Sequence, residues 1–235
     1  MSVFNFKKFK IHHQQSFKVG TDGVLLGAWV DVEQANAILD IGSGSGLIPL
    51  ILAQRTDNSK ITGIEIDEFA VEESRNNIED SPWFDRLNIV HETVQAFTEK
   101  YSFKFDLVVS NPPYFINSTK SAKPQKNLAR HTDSLSFEDL IDASLKLLFL
   151  EGKLAVVLPK EEGAIFISLA ESKGFYLTKL TEVRSKIDKP ITRLLMEFRR
   201  LASNLTKDEL IIQFDKRNDY TPEYAALTKD FYLKL

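Results

Sequence analysis

Short apolar runs alternate with helix-length amphipathic segments along most of this chain. The apolar runs are rich in Ile, Leu and Val and do not alternate with polar residues, which predicts strands buried on both faces. Strands are predicted at 37–41, 60–66, 87–91, 105–110 and 154–158, and helices at 47–54, 69–78, 136–150 and 161–172. Because strands and helices alternate, we expect a parallel sheet with right-handed crossovers.

The pattern changes after residue 174. Residues 175–184 and 192–200 read as two strands, and the short connection between them predicts an antiparallel pair. Residues 117–131 are polar and basic with neither a helix nor a strand period, which predicts a functional or disordered loop. Ser136 and Asp139 give the helix at 136–150 a capping-type start.

Composition narrows the class of protein. The chain has 235 residues and 43% hydrophobic content, enough for a sizeable core. It has no cysteine, which excludes disulfides and thiolate chemistry and fits a reducing cytoplasm. The N-terminus lacks the apolar core of a signal peptide, and no stretch is long enough to span a bilayer. We therefore expect a cytoplasmic protein without membrane contact.

The charge is distributed unevenly. The formal net charge is −3, yet residues 1–21 and 107–132 contain only basic charges. A positive patch on an acidic protein is typical of polyanion binding, although lysines also solvate ordinary surface loops. The candidate RNA-binding residues are Lys7, Lys10, Lys120, Lys123, Lys126 and Arg130. Arg193, Arg199 and Arg200 are interpreted as solvated surface charges, and the four histidines lack metal-ligand spacing, so no metal site is expected.

A glycine-rich loop follows the first predicted strand of the core. Gly42, Ser43, Gly44 and Gly46 allow a tight turn and close approach of a ligand to the backbone. The spacing is Gly-x-Gly-x-Gly, not the Gly-x-Gly-x-x-Gly of dinucleotide folds. Asp40, two residues before the first glycine, suits a cationic ligand better than a pyrophosphate. The loop therefore favours S-adenosylmethionine over NAD, with an unliganded turn as the remaining alternative.

Further candidate cofactor contacts surround this loop. Glu65 ends the second strand, nineteen residues after Gly46, where an acid accepts hydrogen bonds from ribose hydroxyls, and Ile66 follows it. Glu92 and Thr93 follow the third strand and are both candidates for reading the cofactor adenine. Lys18, Thr21 and Asp22 are expected near a lid turn, where Asp22 would cap a helix over 24–29. An ordinary helix cap is an equal interpretation of Asp22.

The tetrapeptide Asn111-Pro112-Pro113-Tyr114 ends the fourth strand. Two prolines cannot continue a strand and force a rigid, extended exit. The Asn111 amide oxygen and the Pro112 carbonyl can accept the two hydrogens of a planar amino group, while Tyr114 stacks on its ring. Asn-Pro-Pro-Tyr resembles the signature of methyltransferases that act on amino nitrogens of adenine, guanine or glutamine. A plain strand-to-loop turn is the alternative.

Three further blocks, at 17–29, 129–137 and 220–232, complete a resemblance that covers nearly the whole chain. Together with the glycine loop and the tetrapeptide, they resemble the bacterial tRNA(Val) adenine-37 N6-methyltransferase family. The resemblance implies S-adenosylmethionine as donor, tRNA as partner and the adenine just 3′ of the anticodon as target. Asn111 then also lies beside the cofactor. No obligate protein partner is indicated.

The resemblance also implies the architecture. We expect an α/β, Rossmann-like class I methyltransferase: a mostly parallel seven-stranded sheet with an antiparallel C-terminal strand pair and helices on both faces. A single domain over 1–235 would comprise an N-terminal segment and lid (1–36), a cofactor-binding core (37–160) and a C-terminal half that completes the sheet (161–235).

Three other functions remain open at this point. A protein-glutamine N5-methyltransferase shares Asn-Pro-Pro-Tyr but carries a helical N-terminal domain, and only about thirty-six residues precede the first core strand here. A ribosomal RNA guanine N2-methyltransferase is the second. The third is a non-catalytic RNA-binding module on a methyltransferase scaffold, which the intact Asp40, Gly42, Glu65 and Asn111 disfavour.

Overall fold

The strands of the computed structural model form one large sheet and a separate hairpin. The structure describes residues 2–13, 19–113, 135–216 and 218–234. The hairpin pairs β1 (Ser2–Asn5) with β2 (Lys10–His13). The large sheet contains β3 (Ala37–Ile41), β4 (Lys60–Glu65), β5 (Leu87–His91), β6 (Phe105–Ser110), β7 (Leu148–Pro159), β8 (Tyr176–Arg184), β9 (Ile191–Arg199) and β10 (Thr206–Ile211).

Helices cover both faces of the large sheet. In chain order they are α1 (Thr21–Trp29), α2 (Leu47–Arg55), α3 (Glu68–Glu79), α4 (Val94–Lys100), α5 (Phe137–Leu147), α6 (Lys160–Ser172) and α7 (Pro222–Thr228). One hydrophobic cluster joins α1, α2, α7 and the hairpin to the sheet, and a second joins α4, α5 and α6 to the opposite face. No helix in the described ranges is long and apolar enough to cross a membrane.

The strand order of the large sheet is β10-β8-β9-β7-β6-β3-β4-β5. All neighbouring strands pair in parallel except β9, which is antiparallel to both β7 and β8. The predicted α/β class, parallel core and antiparallel C-terminal pair are therefore confirmed. The predicted count of seven strands is wrong, because the sheet has eight strands within the described residues.

The strand of the large sheet that the sequence did not reveal is β10. Its residues are mostly polar and exposed, so it lacks the apolar run that marks a buried strand. It lies at one edge of the sheet, where charged side chains are common. Polar pairs join it to β8: Lys207 Nζ lies 2.9 Å from a Glu182 oxygen, and Arg184 pairs with Glu209.

One predicted boundary is also wrong. The helix expected to run to residue 150 ends at Leu147, and residues 148–150 begin β7. Their apolar character suits either structure, so periodicity alone could not separate the end of the helix from the start of the strand. The predicted start is confirmed, since the Ser136 hydroxyl accepts the Asp139 N–H at 3.1 Å.

The N-terminal hairpin packs against the C-terminal segment. The Phe6 ring stacks on Phe9 and Tyr232, with ring centroids 4.5 and 5.9 Å away. The Lys7 N–H donates to the Phe231 carbonyl at 2.8 Å, and the Lys7 ammonium donates to the Lys229 carbonyl at 2.6 Å. The hairpin is therefore held by residues more than two hundred positions away in the sequence.

Candidate active site

The carboxyl ends of β3, β4 and β6 meet at one end of the sheet, called here the carboxyl end. The central strand β3 pairs with β4 on one side and β6 on the other. The connections that follow β3 and β6 therefore run to opposite sides of this point. A crevice forms between them, and ligands of open α/β sheets bind in such a crevice. This topology brings the glycine loop after β3, Glu65 and Asn111 to the same end of the sheet.

The glycine loop adopts backbone conformations that side chains disfavour. Gly42, Gly44 and Gly46 have φ angles of 78°, 52° and 81°. Among the described residues, a Cβ added at Gly42 or Gly44 would meet no atom within 4 Å outside the neighbouring residues of the chain, whereas one at Gly46 would lie 3.3 Å from the Ser74 Cβ. The first two glycines thus leave room beside the backbone for a ligand, and the third permits α2 to begin close to α3.

Asp40 provides the electrostatic character of the crevice. Its side chain is completely buried, and neither carboxylate oxygen has a hydrogen-bond partner among the described residues. Burial raises the pKa of Asp40 well above its usual value, and the nearby Glu65 charge raises it further. An isolated buried carboxylate is costly, so this group fits a cationic ligand. The buried Ser43 hydroxyl also lacks a partner there, so the residues present fit S-adenosylmethionine.

Glu65 supports the glycine loop through its carboxylate. One oxygen accepts the Gly44 N–H at 2.8 Å, and the other accepts the N–H groups of Ile66 and Asp67 at 2.8 and 3.0 Å. The side chain is thus oriented before any ligand arrives. Ile66, one residue beyond the end of β4, leaves 40% of its surface exposed beside it, which suits contact with a flat ring.

Glu92 and Thr93, the two candidates for contact with the cofactor adenine, have different hydrogen-bond partners in the structure. The Thr93 hydroxyl caps α4 by accepting the Ala96 N–H at 3.1 Å. One Glu92 oxygen accepts the Lys100 ammonium at 2.5 Å, while its other oxygen is buried without a hydrogen-bond partner in the described chain. Glu92 therefore has an acceptor to spare and is the stronger candidate for contact with the cofactor adenine.

The prediction that Asp22 caps a helix is wrong. Helix α1 begins at Thr21, three residues before the predicted start at 24, and its N-cap is Gly20 without a side-chain cap. Asp22 lies in the first turn, and its carboxylate accepts the Arg193 Nε–H at 2.7 Å. Arg193 is consequently not a solvated surface charge but joins β9 to α1. Lys18 lies outside the described residues.

Asn111 and Pro112 lie directly beyond β6. Asn111 is half-buried and Pro112 is buried. The preceding Ser110 hydroxyl donates to the Ile41 carbonyl at 2.7 Å, so the end of β6 is tied to the end of β3 just before the glycine loop. Tyr114, Lys120, Lys123, Lys126 and Arg130 lie outside the described residues.

The remaining predicted residues belong to the N-terminal hairpin and to β9. Lys10 begins β2 and is exposed, and Lys7 is the residue bonded to the Lys229 carbonyl. Arg199 is not the solvated charge that the sequence predicts, because its Nε–H donates to the buried Glu197 at 3.1 Å. In the part of the chain that the structure describes, no group of three His, Cys, Asp or Glu side chains could hold a metal ion.

Asn77 is a residue near the site that the sequence did not reveal. It is almost fully buried in α3, and its side-chain oxygen accepts the His12 N–H at 2.8 Å. Its amide donates to the His12 carbonyl at 3.1 Å and to the Ser45 carbonyl at 3.0 Å. One side chain thus joins the N-terminal hairpin to the glycine loop. An Asn inside an amphipathic helix gives no sequence signal for such a role.

We expect Asn77→Ala to raise the KM for the methyl donor about tenfold while kcat falls less than about threefold. The substitution leaves buried backbone groups without hydrogen-bond partners, at a cost of about 1–3 kcal/mol. One of these groups is the Ser45 carbonyl of the glycine loop. Steady-state kinetics at saturating acceptor would measure both constants. The exposed neighbour Asn76 provides the control, since Asn76→Ala should leave them unchanged. An equal loss in kcat with an unchanged donor KM would contradict this role.

Comparison with known proteins agrees with this geometry. The sequence pattern of the family described as Methyltransferase small domain matches residues 14–175. Two relatives, both named tRNA1(Val) (adenine(37)-N6)-methyltransferase, come from Flavobacterium psychrophilum and Trichodesmium erythraeum. The first is 43% identical over 99% of this chain and 100% of its own length. The second is 44% identical over 98% of both chains.

Solved structures resemble the fold. A predicted O-methyltransferase from Agrobacterium tumefaciens superposes with a TM-score of 0.72 at 21% identity, covering 89% of this chain and 96% of its own. The glycopeptide N-methyltransferase MtfA, solved with S-adenosylmethionine, gives a TM-score of 0.58 at 13% identity and covers 81% and 100%.

The fold and the glycine loop define a class I methyltransferase that uses S-adenosylmethionine. Among such enzymes, the chain belongs to the tRNA1(Val) (adenine(37)-N6)-methyltransferase family.

Proposed function

We propose that this enzyme methylates the exocyclic N6 amine of adenine 37 in the anticodon loop of tRNA(Val). The observation that carries the proposal is the convergence of the Asp40–Gly46 loop and Asn111 at the carboxyl end of the sheet. The family relatives, alike over their whole length, supply the particular nucleotide. This substrate implies action in the cytoplasm, where tRNA is found.

The donor would be held mainly by residues after β3 and β4. Asp40 would attract its cationic end, and the open sides of Gly42 and Gly44 would allow close backbone approach. Glu65 would accept the ribose hydroxyls. Bound S-adenosylmethionine supplies a methyl carbon activated by its sulfonium. Ile66 and Glu92 would contact the adenine, and Lys18 and Thr21 would cover the donor from the N-terminal side.

Asn111 and Pro112 would orient the acceptor. An exocyclic amine is a weak nucleophile because its lone pair is delocalised into the ring. Hydrogen bonds from the amine to the Asn111 side-chain oxygen and the Pro112 carbonyl would direct that lone pair toward the methyl carbon. Most of the rate would then come from positioning and preorganised dipoles, without a strong base.

The target base must leave its stack to reach this crevice, which costs least in a single-stranded loop. Tyr114 would stack on the extruded ring, a contact worth about 1–3 kcal/mol. Lys7, Lys10, Lys120, Lys123, Lys126 and Arg130 are proposed to contact phosphates.

Labelled S-adenosylmethionine would test this function when supplied with unmodified tRNA(Val), the same transcript with guanine at position 37, ribosomal RNA, or a release factor. We expect label in the first substrate alone, as N6-methyladenine at position 37. Label in the release factor or ribosomal RNA with none in tRNA would overturn the proposal. Donor binding by calorimetry without transfer to any substrate would instead indicate a non-catalytic module.

A further inference from the structure

Charge is divided across the carboxyl end of the sheet. The stretches 40–46, 65–68 and 91–93, at and just beyond the ends of β3, β4 and β5, contain five carboxylates and neither lysine nor arginine. The stretches 160–162 and 184–193, after β7 and between β8 and β9, contain five basic and three acidic side chains. The first group has a formal charge of −5 and the second of +2, before the ion pairs of two arginines in the second group are counted. The half of the sheet end that would hold the donor is therefore the more acidic one, and it repels a polyanion more strongly than the other half does.

The reversed direction of β9 brings the second basic stretch to this end of the sheet. In the antiparallel registers, Pro159 at the end of β7 pairs with Arg193, and Arg184 at the end of β8 pairs with Ile191. The turn over 185–190 consequently projects from the same end as Asn111. Three strand spacings separate β8 from β6, or about 14 Å. That distance corresponds to a few nucleotides of an RNA strand.

Two of the five basic groups are already paired. Arg184 pairs with Glu209, and Arg193 pairs with Asp22. The three lysines have donors to spare. Lys186 gives one of its three ammonium hydrogens to the Asp215 carbonyl at 2.6 Å. Lys189 lies 3.4 Å from Asp188, but both side chains are more than half exposed, where an ion pair contributes little. Lys160 is exposed at the start of α6.

We infer that the β8–β9 turn, with Lys186, Lys189 and the neighbouring Lys160, is a docking surface for the phosphates of the RNA substrate. The acceptor then approaches across β7, β9 and β8, while the donor occupies the acidic half beyond β3. The inference rests on the proposed function, because it takes tRNA as the partner. The sequence pattern alone does not single out these three lysines as RNA contacts.

The test measures binding of an unmodified tRNA(Val) transcript at a series of salt concentrations. The logarithm of the tRNA association constant falls linearly with the logarithm of the salt concentration. Each lost phosphate contact reduces the magnitude of that negative slope by about 0.7–0.9. The double variant Lys186→Gln/Lys189→Gln should lower the slope by about 1.4–1.8. Its KM for tRNA should rise about tenfold or more, with the donor Kd unchanged. Lys160→Gln should lower the slope by about 0.7–0.9.

The matched control is Lys60→Gln/Lys104→Gln, because Lys60 opens β4 and Lys104 precedes β6, at the opposite end of the sheet. The control should bind tRNA as the wild type does. A wild-type slope in the turn variants, or an equal loss in the control, would overturn the docking surface while leaving the proposed function intact. A wild-type enzyme that binds donor but neither binds nor methylates tRNA would overturn both.

Discussion

Asn111→Ala is expected to lower kcat for tRNA methylation by about 100- to 1000-fold while donor affinity changes only a few-fold. The magnitude follows from the usual loss when one preorganised hydrogen-bonding group is removed from a reacting centre. Asn111 is half-buried just beyond the Ser110–Ile41 bond, so its side chain starts from a well-supported backbone. Single-turnover methylation with saturating donor and tRNA would measure the loss in the chemical step.

The control for this variant is Asn88→Ala, which removes an exposed amide from β5 and should leave turnover unchanged. Donor affinity is measured separately by calorimetry, so a damaged cofactor site can be distinguished from a damaged acceptor site. Turnover near the wild-type rate in Asn111→Ala would show that another group holds the amine.

Asp40→Asn is expected to weaken donor binding by roughly 30-fold or more, since losing one partner of a buried charge pair costs at least about 2 kcal/mol. The same change should stabilise the ligand-free protein at neutral pH. Asp40 is completely buried without a hydrogen-bond partner in the described chain, so its ionisation opposes folding when no cation is bound. Function and stability should therefore move in opposite directions.

The sign of the pH dependence follows from the raised pKa of Asp40. Because the folded protein favours the neutral acid, the stabilising contribution is complete below the unfolded pKa of about 4 and is lost as pH rises through the higher folded value. The advantage of Asp40→Asn should consequently grow across that window and then level off. Wild-type donor affinity should rise over the same window, because the donor requires the ionised carboxylate. Melting temperatures and donor titrations at several pH values would follow both effects.

Asp106→Asn provides a control for which the expected change in stability has the opposite sign. Its carboxylate accepts the N–H groups of Asn36 and Ala37 at 2.8 and 2.9 Å, at the amino end of β3. Asp106→Asn should therefore lower the melting temperature without changing donor affinity. If Asp40→Asn binds donor normally, or is less stable than the wild type at every pH, the electrostatic role of Asp40 is wrong.

The sequence predicted the parts of the fold that have strong local signals. Continuous apolar strands, the Asp40–Gly46 loop and the cap at Ser136 were recognisable because each depends on neighbouring residues. The edge strand β10 was not, because its stability depends on ion pairs with β8 that form only after folding. Helix α4 was missed for a similar reason: it is short and carries only two buried side chains, Val94 and Phe97.

The candidate site likewise contains some residues that a local sequence pattern identifies and others that it does not. Glycines and acids next to a strand end identify a cofactor loop because their conformational and electrostatic properties are local. The Asn77 contacts and the Asp22–Arg193 pair join segments 65 and 171 positions apart. The local pattern of a sequence does not show which distant residues meet, so these contacts are visible only in the folded structure.

The packing of the N-terminal hairpin on residues 228–232 has a consequence during synthesis. The ribosome makes the hairpin more than two hundred residues before the carbonyls and the ring at 229–232 that contact it. Contacts this distant in sequence form late. Because Asn77 joins the glycine loop to that hairpin, we expect the loop to gain this support only after residues 229–232 have been made and have packed on the hairpin.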